Sequence, residues 1–134
     1  MKIVLCSSAA FYEHVNQVAD ELIELGHDAV VPKNARQMRE SGDYDAVKSK
    51  TWYDNPEDFV KKRGFIDAHF SEIENGEAVL IVNDKKHGVD GYIGPNVLME
   101  MAIAYYLKKA LPPAKPFKMT PVGLINYSLL PLAL

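Results

Sequence analysis

Residues 94–107 read GPNVLMEMAIAYYL, and the rest of the chain is interpreted around this stretch. From Val97 to Leu107 every side chain is aliphatic or aromatic except that of Glu100. A helix that is apolar on all sides is normally buried in a protein core. Because burial of an unpaired charge is costly, Glu100 must be paired with a cation, held neutral by a raised pKa, or turned toward a cleft.

A buried strand precedes this helix in the sequence. Residues 78–82 form a continuous apolar run that is typical of a central parallel strand covered on both faces, and Asn83 and Asp84 follow it directly. A first strand over residues 3–6 likewise ends at Cys6 and Ser7. In open α/β sheets ligands bind beyond the carboxyl ends of the strands, so these polar residues should lie at one edge, together with the start of the helix.

The remaining elements complete an α/β pattern. Apolar residues at helical spacing over 11–25 predict a helix that ends at Gly26, and residues 29–31 predict the next parallel strand. Residues 34–55 predict a loop-rich excursion with a short helix near 35–40, and the cap at Asn55 begins a helix that ends at Asn75. Phe59 and Ile73 mark the ends of its predicted buried stripe. A last strand is predicted at 122–127.

The predicted fold is a single α/β domain over residues 1–134, three-layered and Rossmann-like or flavodoxin-like, with a mostly parallel sheet. A net charge of −3 gives no basic face for nucleic acid, and no apolar run is long enough to span a membrane. Short lysine clusters over 61–63, 85–87 and 108–109 are typical of solvated surface, although they could meet a phosphate. The single cysteine excludes an intrachain disulfide, and we expect a cytoplasmic protein.

Glu100 allows two interpretations. In the first, Glu100 has a structural role: it pairs with a lysine or arginine, or it lies at the rim of the helix. In the second, it is a carboxylate at the ligand edge that acts as nucleophile or general base. His69 shares the buried stripe of its helix and is either a core histidine with satisfied hydrogen bonds or a ligand contact. Asn83 and Asp84 either bind a ligand hydroxyl or shape a turn.

Cofactor and metal motifs are missing from the sequence. Cys6 has no basic partner near it in the chain, and a cysteine at a strand end is usually packed in the core. His14, His27, His69 and His87 lack the spacing of metal ligands. There is no G-x-G-x-x-G or Walker A pattern, so we expect neither a metal nor a cofactor.

The helix motif at residues 94–104, with residues 2–7 and 78–83, resembles the nucleoside 2-deoxyribosyltransferase superfamily. The resemblance spans roughly residues 1–109 and leaves 110–134 as an atypical tail. It implies a Rossmann-like fold, cleavage of the N-glycosidic bond of a nucleoside or nucleoside monophosphate, and a homo-oligomer, dimer or higher. By position Glu100 matches the catalytic glutamate, which attacks the anomeric carbon and forms a glycosyl-enzyme intermediate.

The predicted binding residues and the departures from the family pattern complete the hypothesis. We expect substrate contacts from the polar residues of the ligand edge: Cys6, Ser7, His69, Asn83, Asp84 and Asn96. His69 and Gly94 stand where the family carries aspartates, and no tyrosine follows the first strand near Ser7. The Lys-Pro-Ile sequence that usually leads into the next strand is missing after Lys109.

Two alternatives remain open. The first is a module with the same α/β fold that binds a nucleotide or nucleotide-sugar without catalysis. A flavodoxin-like or receiver-type domain is the other, although the loop after the first strand lacks a phosphate-binding pattern and an acidic cluster for Mg²⁺.

Overall fold

The computed structural model describes residues 1–48 and 50–111, apart from the side chain of Tyr53. In these residues the strands and helices follow one another as β1 (Lys2–Ser7), α1 (Tyr12–Glu24), β2 (Asp28–Val30), α2 (Lys33–Ser41), α3 (Phe59–Asn75), β3 (Ala78–Val82) and α4 (Pro95–Tyr106). Short 3-10 helices cover Ala9–Phe11, Thr51–Tyr53 and Pro56–Asp58. The strand predicted at 122–127 lies outside the described residues.

The three strands form a parallel sheet in the order β2-β1-β3. Ile3 pairs with Ala78 at one end of the β1–β3 ladder, and Ser7 pairs with Val82 at the other. The connection after β1 leads to β2 on one side of it, and the chain later returns to form β3 on the other side. The direction in which strands are added to the sheet therefore reverses at β1. A crevice forms at such a switch point, beyond the carboxyl ends of β1 and β3.

Side chains that alternate along the strands build two cores, one on each face of the sheet. Val4 and Cys6 of β1 join a cluster with α3 and α4, whereas Leu5 joins a cluster with α1 and α2. Val79 and Ile81 of β3 lie in the first cluster. The sheet is therefore covered by a helical layer on each face, which confirms the three-layer α/β prediction.

Local signals place the helix ends. Gly26 has a φ of 85°, as a left-handed residue after α1 requires, and the Asn55 side chain accepts a hydrogen bond from the Glu57 N–H. Gly94 caps α4 and Pro95 is its first residue. Glu100 is thereby fixed in the second turn of α4, close to the ligand edge of the sheet.

The expectation that α4 is buried on all sides is wrong. Val97, Met101 and Ala104 recur at helical spacing and are buried against the sheet. The opposite face is exposed, with Tyr106 the most exposed at 82%, because no described element covers it. The predicted homo-oligomer stays a prediction.

The predicted stripe of α3 also needs correction at one end. Phe59 is 53% exposed, because this first residue of α3 lies beyond the region that packs against the sheet, whereas Ile73 is fully buried. None of the helices in the described residues combines the length and the hydropathy needed to cross a bilayer.

Replacing Gly76 by Ala should lower the free energy of unfolding by about 1–3 kcal/mol, as overpacking of a core does. A Cβ at this position would lie 2.6 Å from Cγ2 of Val4, a buried β-branched side chain that cannot move away. Urea denaturation measures the change.

Gly64→Ala is the matched control for this prediction. Gly64 lies inside α3, and an added Cβ meets nothing within 4 Å, so this variant should gain about 0.5–1 kcal/mol of stability. Equal stability of the two variants would contradict the close approach of Gly76 to Val4.

Candidate functional site

A cleft opens beyond the carboxyl end of β1, between the loop that follows this strand and the start of α4. Its wider part has a volume of about 370 Å³, and a narrower extension of about 60 Å³ leads toward α2 and α3. The wider part falls within the range of roughly 300–1,000 Å³ that is usual for small-molecule sites. Both parts share six lining residues: Tyr12, Asn34, Trp52, Lys62, Asn96 and Glu100.

Glu100 lies where the two parts of the cleft meet. Its Oε2 atom is buried and has no hydrogen-bond partner among the described residues. Burial raises the pKa of Glu100 from 4.5 to about 7, and the neighbouring His69 ring and Cys6 thiol offset this only in part. No lysine or arginine forms an ion pair with Glu100 within the described residues, so of the two interpretations the structure favours a carboxylate at the cleft.

Behind Glu100, a chain of hydrogen bonds connects β1, α3 and α2. His69 Nδ1 lies 2.7 Å from a Glu72 carboxylate oxygen, and His69 Nε2 lies 3.3 Å from Cys6 Sγ. Arg36 donates to the other Glu72 oxygen over 3.1 Å. Burial acts to raise the pKa of Glu72, but the hydrogen bonds from His69 and Arg36 outweigh it and lower the pKa. Because an ionised carboxylate only accepts, His69 Nδ1 carries a proton.

Cys6 has the basic partner that its sequence neighbourhood did not offer, since His69 comes from α3. Burial raises the pKa of the Cys6 thiol well above its ordinary value, and the negative charge of Glu100 adds to this effect. Cys6 is 0% exposed and lines neither part of the cleft. A buried thiol of this kind is a poor candidate for a nucleophile, in spite of the cysteine–histidine–carboxylate arrangement.

Tyr12 brings a phenol to the same cleft. Burial raises the pKa of Tyr12, the charge of Glu100 raises it further, and a hydrogen bond with Asn34 partly opposes both. The hydroxyl therefore stays protonated and can donate.

Lysines outnumber acids among the described residues that line the cleft. Four lysines line it, Lys33, Lys50, Lys62 and Lys86, whereas Glu100 is the one acid that the described part of the chain contributes to the lining. No ion pair in the described part of the chain uses any of these lysines. Burial lowers the pKa of Lys86, and the nearby charge of Lys50 adds to this effect. Neighbouring cations of this kind are neutralised when an anion binds between them.

Two of the lysines lie over aromatic rings that line the wider part of the cleft. Lys62 Nζ lies 5.6 Å from the centroid of the Trp52 ring, and Lys86 Nζ lies 5.2 Å from that of Tyr92. The lysines offer positive charge for an anion, and the rings beside them offer flat apolar surfaces. The arrangement suits a ligand that carries both a negative charge and a planar heterocycle.

The residues predicted from sequence fall into two groups. Ser7 and Asn96 line the wider part of the cleft, and His69 lines the narrow part. Cys6, Asn83 and Asp84 lie outside the lining. Their predicted substrate contacts stay predictions.

Several of the predicted residues, inside and outside the lining, are engaged with other parts of the protein. Asn83 is 1% exposed, and Asp84 Oδ2 lies 2.6 Å from His14 Nδ1. The Ser7 hydroxyl, although at the cleft, donates to the Val82 carbonyl oxygen over 2.6 Å.

Sequence reasoning missed the cationic and aromatic lining of the cleft. Lys62 and Lys86 belong to clusters assigned to solvated surface, and Lys50 and Trp52 lie in the excursion between α2 and α3. The signal available was the combination of lysines and aromatic residues in one long connection. Nothing in the sequence indicated that this connection folds over the carboxyl end of β1.

No family model, no characterised protein and no solved structure was found to match this chain. The relation to the nucleoside 2-deoxyribosyltransferases therefore stays a prediction from the sequence.

Proposed function

We propose that this protein cleaves the N-glycosidic bond of a nucleoside monophosphate, with Glu100 as the nucleophile, and passes the sugar phosphate to water or to another base. The observation that carries the proposal is a buried carboxylate oxygen that no described residue hydrogen-bonds, in a cleft that four lysines line. The carboxylate suits an electrophilic carbon, and the lysines suit a phosphate.

The proposed chemistry follows from the setting of Glu100. A Glu100 carboxylate oxygen attacks the anomeric carbon, the carbon–nitrogen bond breaks, and its electron pair leaves with the base, which takes up a proton from solvent. The resulting ester is then attacked at the same carbon by water or an acceptor base, which loses a proton to solvent, and the carbon–oxygen bond to Glu100 breaks and restores the carboxylate. A desolvated carboxylate also stabilises the positive charge that develops on the sugar.

The lysines favour a monophosphate over a nucleoside as the substrate. Lys86 Nζ donates to the Ser8 hydroxyl over 3.1 Å, close to the end of β1, and Lys50 lies near enough to lower the pKa of Lys86. A phosphate bound here would replace the repulsion between the two lysines by two charge-assisted hydrogen bonds. The aromatic rings of Trp52 and Tyr92 then offer flat surfaces for the base.

Incubation with a panel of nucleosides and nucleoside monophosphates, followed by chromatography of the free base, tests the proposal. Base should appear from at least one monophosphate, and faster than from the matching nucleoside. A panel that yields no base above the rate without protein would contradict it.

Replacing Lys86 by Met should raise the KM for the monophosphate about tenfold or more, the loss expected for one charge-assisted hydrogen bond. Turnover of the matching nucleoside should change little, because the nucleoside carries no phosphate for Lys86 to bind. Steady-state kinetics on both substrates measure the difference.

Lys85→Met is the matched control, because Lys85 is adjacent in sequence but exposed and outside the cleft lining. An equal effect of the two substitutions would mean that the phosphate binds elsewhere.

A second candidate is a nucleotide-binding module without catalysis. The observation in its favour is that Glu100 is the one acid among the described residues of the cleft lining. Gly94 stands where the resembled family has an aspartate. Stabilisation of the protein against heat by a monophosphate, with no release of base, would favour this candidate.

A further inference from the structure

Three potential metal ligands from separate elements meet at the inner wall of the cleft. Cys6 lies in β1, His69 in α3 and Glu100 in α4, and one ligand atom from each lies within 4.8 Å of those of the other two. Thiolate, imidazole and carboxylate form a donor set that Zn²⁺ accepts. We propose that Cys6, His69 and Glu100 form a binding site for Zn²⁺, and that Zn²⁺ bound there blocks Glu100.

The distances suit a tetrahedral ion. Zinc bonds of usual length place a thiolate sulfur and an imidazole nitrogen about 3.6 Å apart. Cys6 Sγ and His69 Nε2 are 3.3 Å apart, close to that value. The Glu100 carboxylate oxygen lies within 4.8 Å of both atoms, so it needs to approach by no more than about 1 Å, which a change of side-chain torsion supplies.

His69 is already oriented as a metal ligand. Its Nδ1–H donates to the Glu72 carboxylate over 2.7 Å, so Nε2 is the ring nitrogen that faces Cys6 Sγ, at 3.3 Å. A carboxylate behind the histidine is the usual support of a zinc-bound imidazole. Arg36 holds Glu72 in turn from α2, so the support is itself fixed.

Glu100 supplies the independent observation that points to a ligand. Its Oε2 atom is buried, has no hydrogen-bond partner among the described residues, and belongs to a side chain that lines the cleft. A bound cation would satisfy this oxygen. The Cys6 proton would leave to solvent as the thiolate–zinc bond forms, so zinc affinity should fall as the pH is lowered.

The site would be open on one side. Cys6 lies on the core side, whereas His69 and Glu100 line the cleft, so three protein ligands would leave a fourth position toward the cavity. The ligands are 31 or more positions apart along the chain, which explains why their spacing does not predict a metal. The site rests on the ligand geometry alone; the inhibition rests on the proposed function, because a Glu100 oxygen bonded to zinc cannot attack a sugar.

Titration of the full chain with Co²⁺ and Zn²⁺, without substrate, tests the site. Co²⁺ should bind in a one-to-one ratio and produce the sulfur-to-cobalt charge-transfer band of a thiolate complex, and Zn²⁺ should displace it. Cys6→Ser should lose the charge-transfer band. Glu72→Gln, which keeps all three ligands, should weaken Zn²⁺ binding about 10–100-fold.

Glu100→Gln keeps the test decisive if Cys6→Ser does not fold. The Glu100 side chain lines the cleft, and Gln has nearly the same size but lacks the carboxylate that would bind the metal. It should weaken Zn²⁺ binding about tenfold or more. His87→Ala is the control, since His87 lines the cleft but lies outside the cluster, and it should bind Zn²⁺ as the wild type does. Binding that is equal in the wild type and Glu100→Gln would overturn the site.

The inhibition has a separate readout. Zn²⁺ at saturating concentration should stop release of base from the monophosphate, and a chelator should restore it. Release that is unchanged or faster in saturating Zn²⁺ would overturn the inhibition. One-to-one metal binding in a protein that releases no base would confirm the site and contradict the proposed function.

Discussion

Replacing Glu100 by Gln should slow the release of base from nucleoside monophosphates by about 10³-fold or more, the scale expected when a nucleophile is removed. Gln has the same shape but cannot form the glycosyl ester. Because the pKa of Glu100 is raised to about 7, the wild-type rate should also rise as the pH increases through this value. Free base measured by chromatography across a pH series tests both statements.

The covalent intermediate gives a second readout for Glu100. Wild-type protein quenched during turnover should gain the mass of one sugar phosphate less one water, the mass of the glycosyl group in the ester, whereas Glu100→Gln should not. Glu74→Gln is the control, because Glu74 is exposed at the far end of α3 and should leave the rate unchanged. Equal rates of base release in the wild type and Glu100→Gln would contradict the proposed mechanism, even if the protein proved to be a glycosidase.

Glu100→Gln should also become more stable relative to the wild type as the pH rises. The folded-state pKa of Glu100 is about 7, above its ordinary value of 4.5. A carboxyl with a raised pKa contributes stability that is fully present below pH 4.5 and is lost as the pH rises through 7. Between pH 5 and pH 8 the difference in unfolding free energy between variant and wild type should therefore grow by roughly 2–3 kcal/mol in favour of Gln.

Urea denaturation at several pH values measures this difference. Cys6, His69 and Tyr12 face Glu100 from β1, α3 and α1, and the cleft lysines lie beyond it, but all are common to both proteins, so only their interaction with Glu100 remains in the comparison. Glu74→Gln should show no such trend. A difference that stays constant with pH would mean that Glu100 is ionised in the folded protein at pH 5 and that burial does not hold its proton.

The sequence predicted the order of elements well because the signals for it are local. The apolar run of β3 and the caps at Gly26, Asn55 and Gly94 act within a few residues, and the parallel order follows from the strand–helix–strand arrangement. Exposure was predicted less well. Phe59 and Tyr106 belong to apolar patterns, yet each points away from the sheet, and burial depends on which elements lie opposite.

The sequence by itself determined that one carboxylate lies in an apolar helix, near its start and at the ligand edge of a parallel sheet. These facts follow from local composition and from the geometry of α/β folds. Only the tertiary structure decided what surrounds Glu100. The neighbours Cys6 and His69 come from β1 and α3, remote from Glu100 and from each other along the chain, and no local pattern specifies such contacts. Whether the carboxylate is paired or free depends on them, and so does its chemistry.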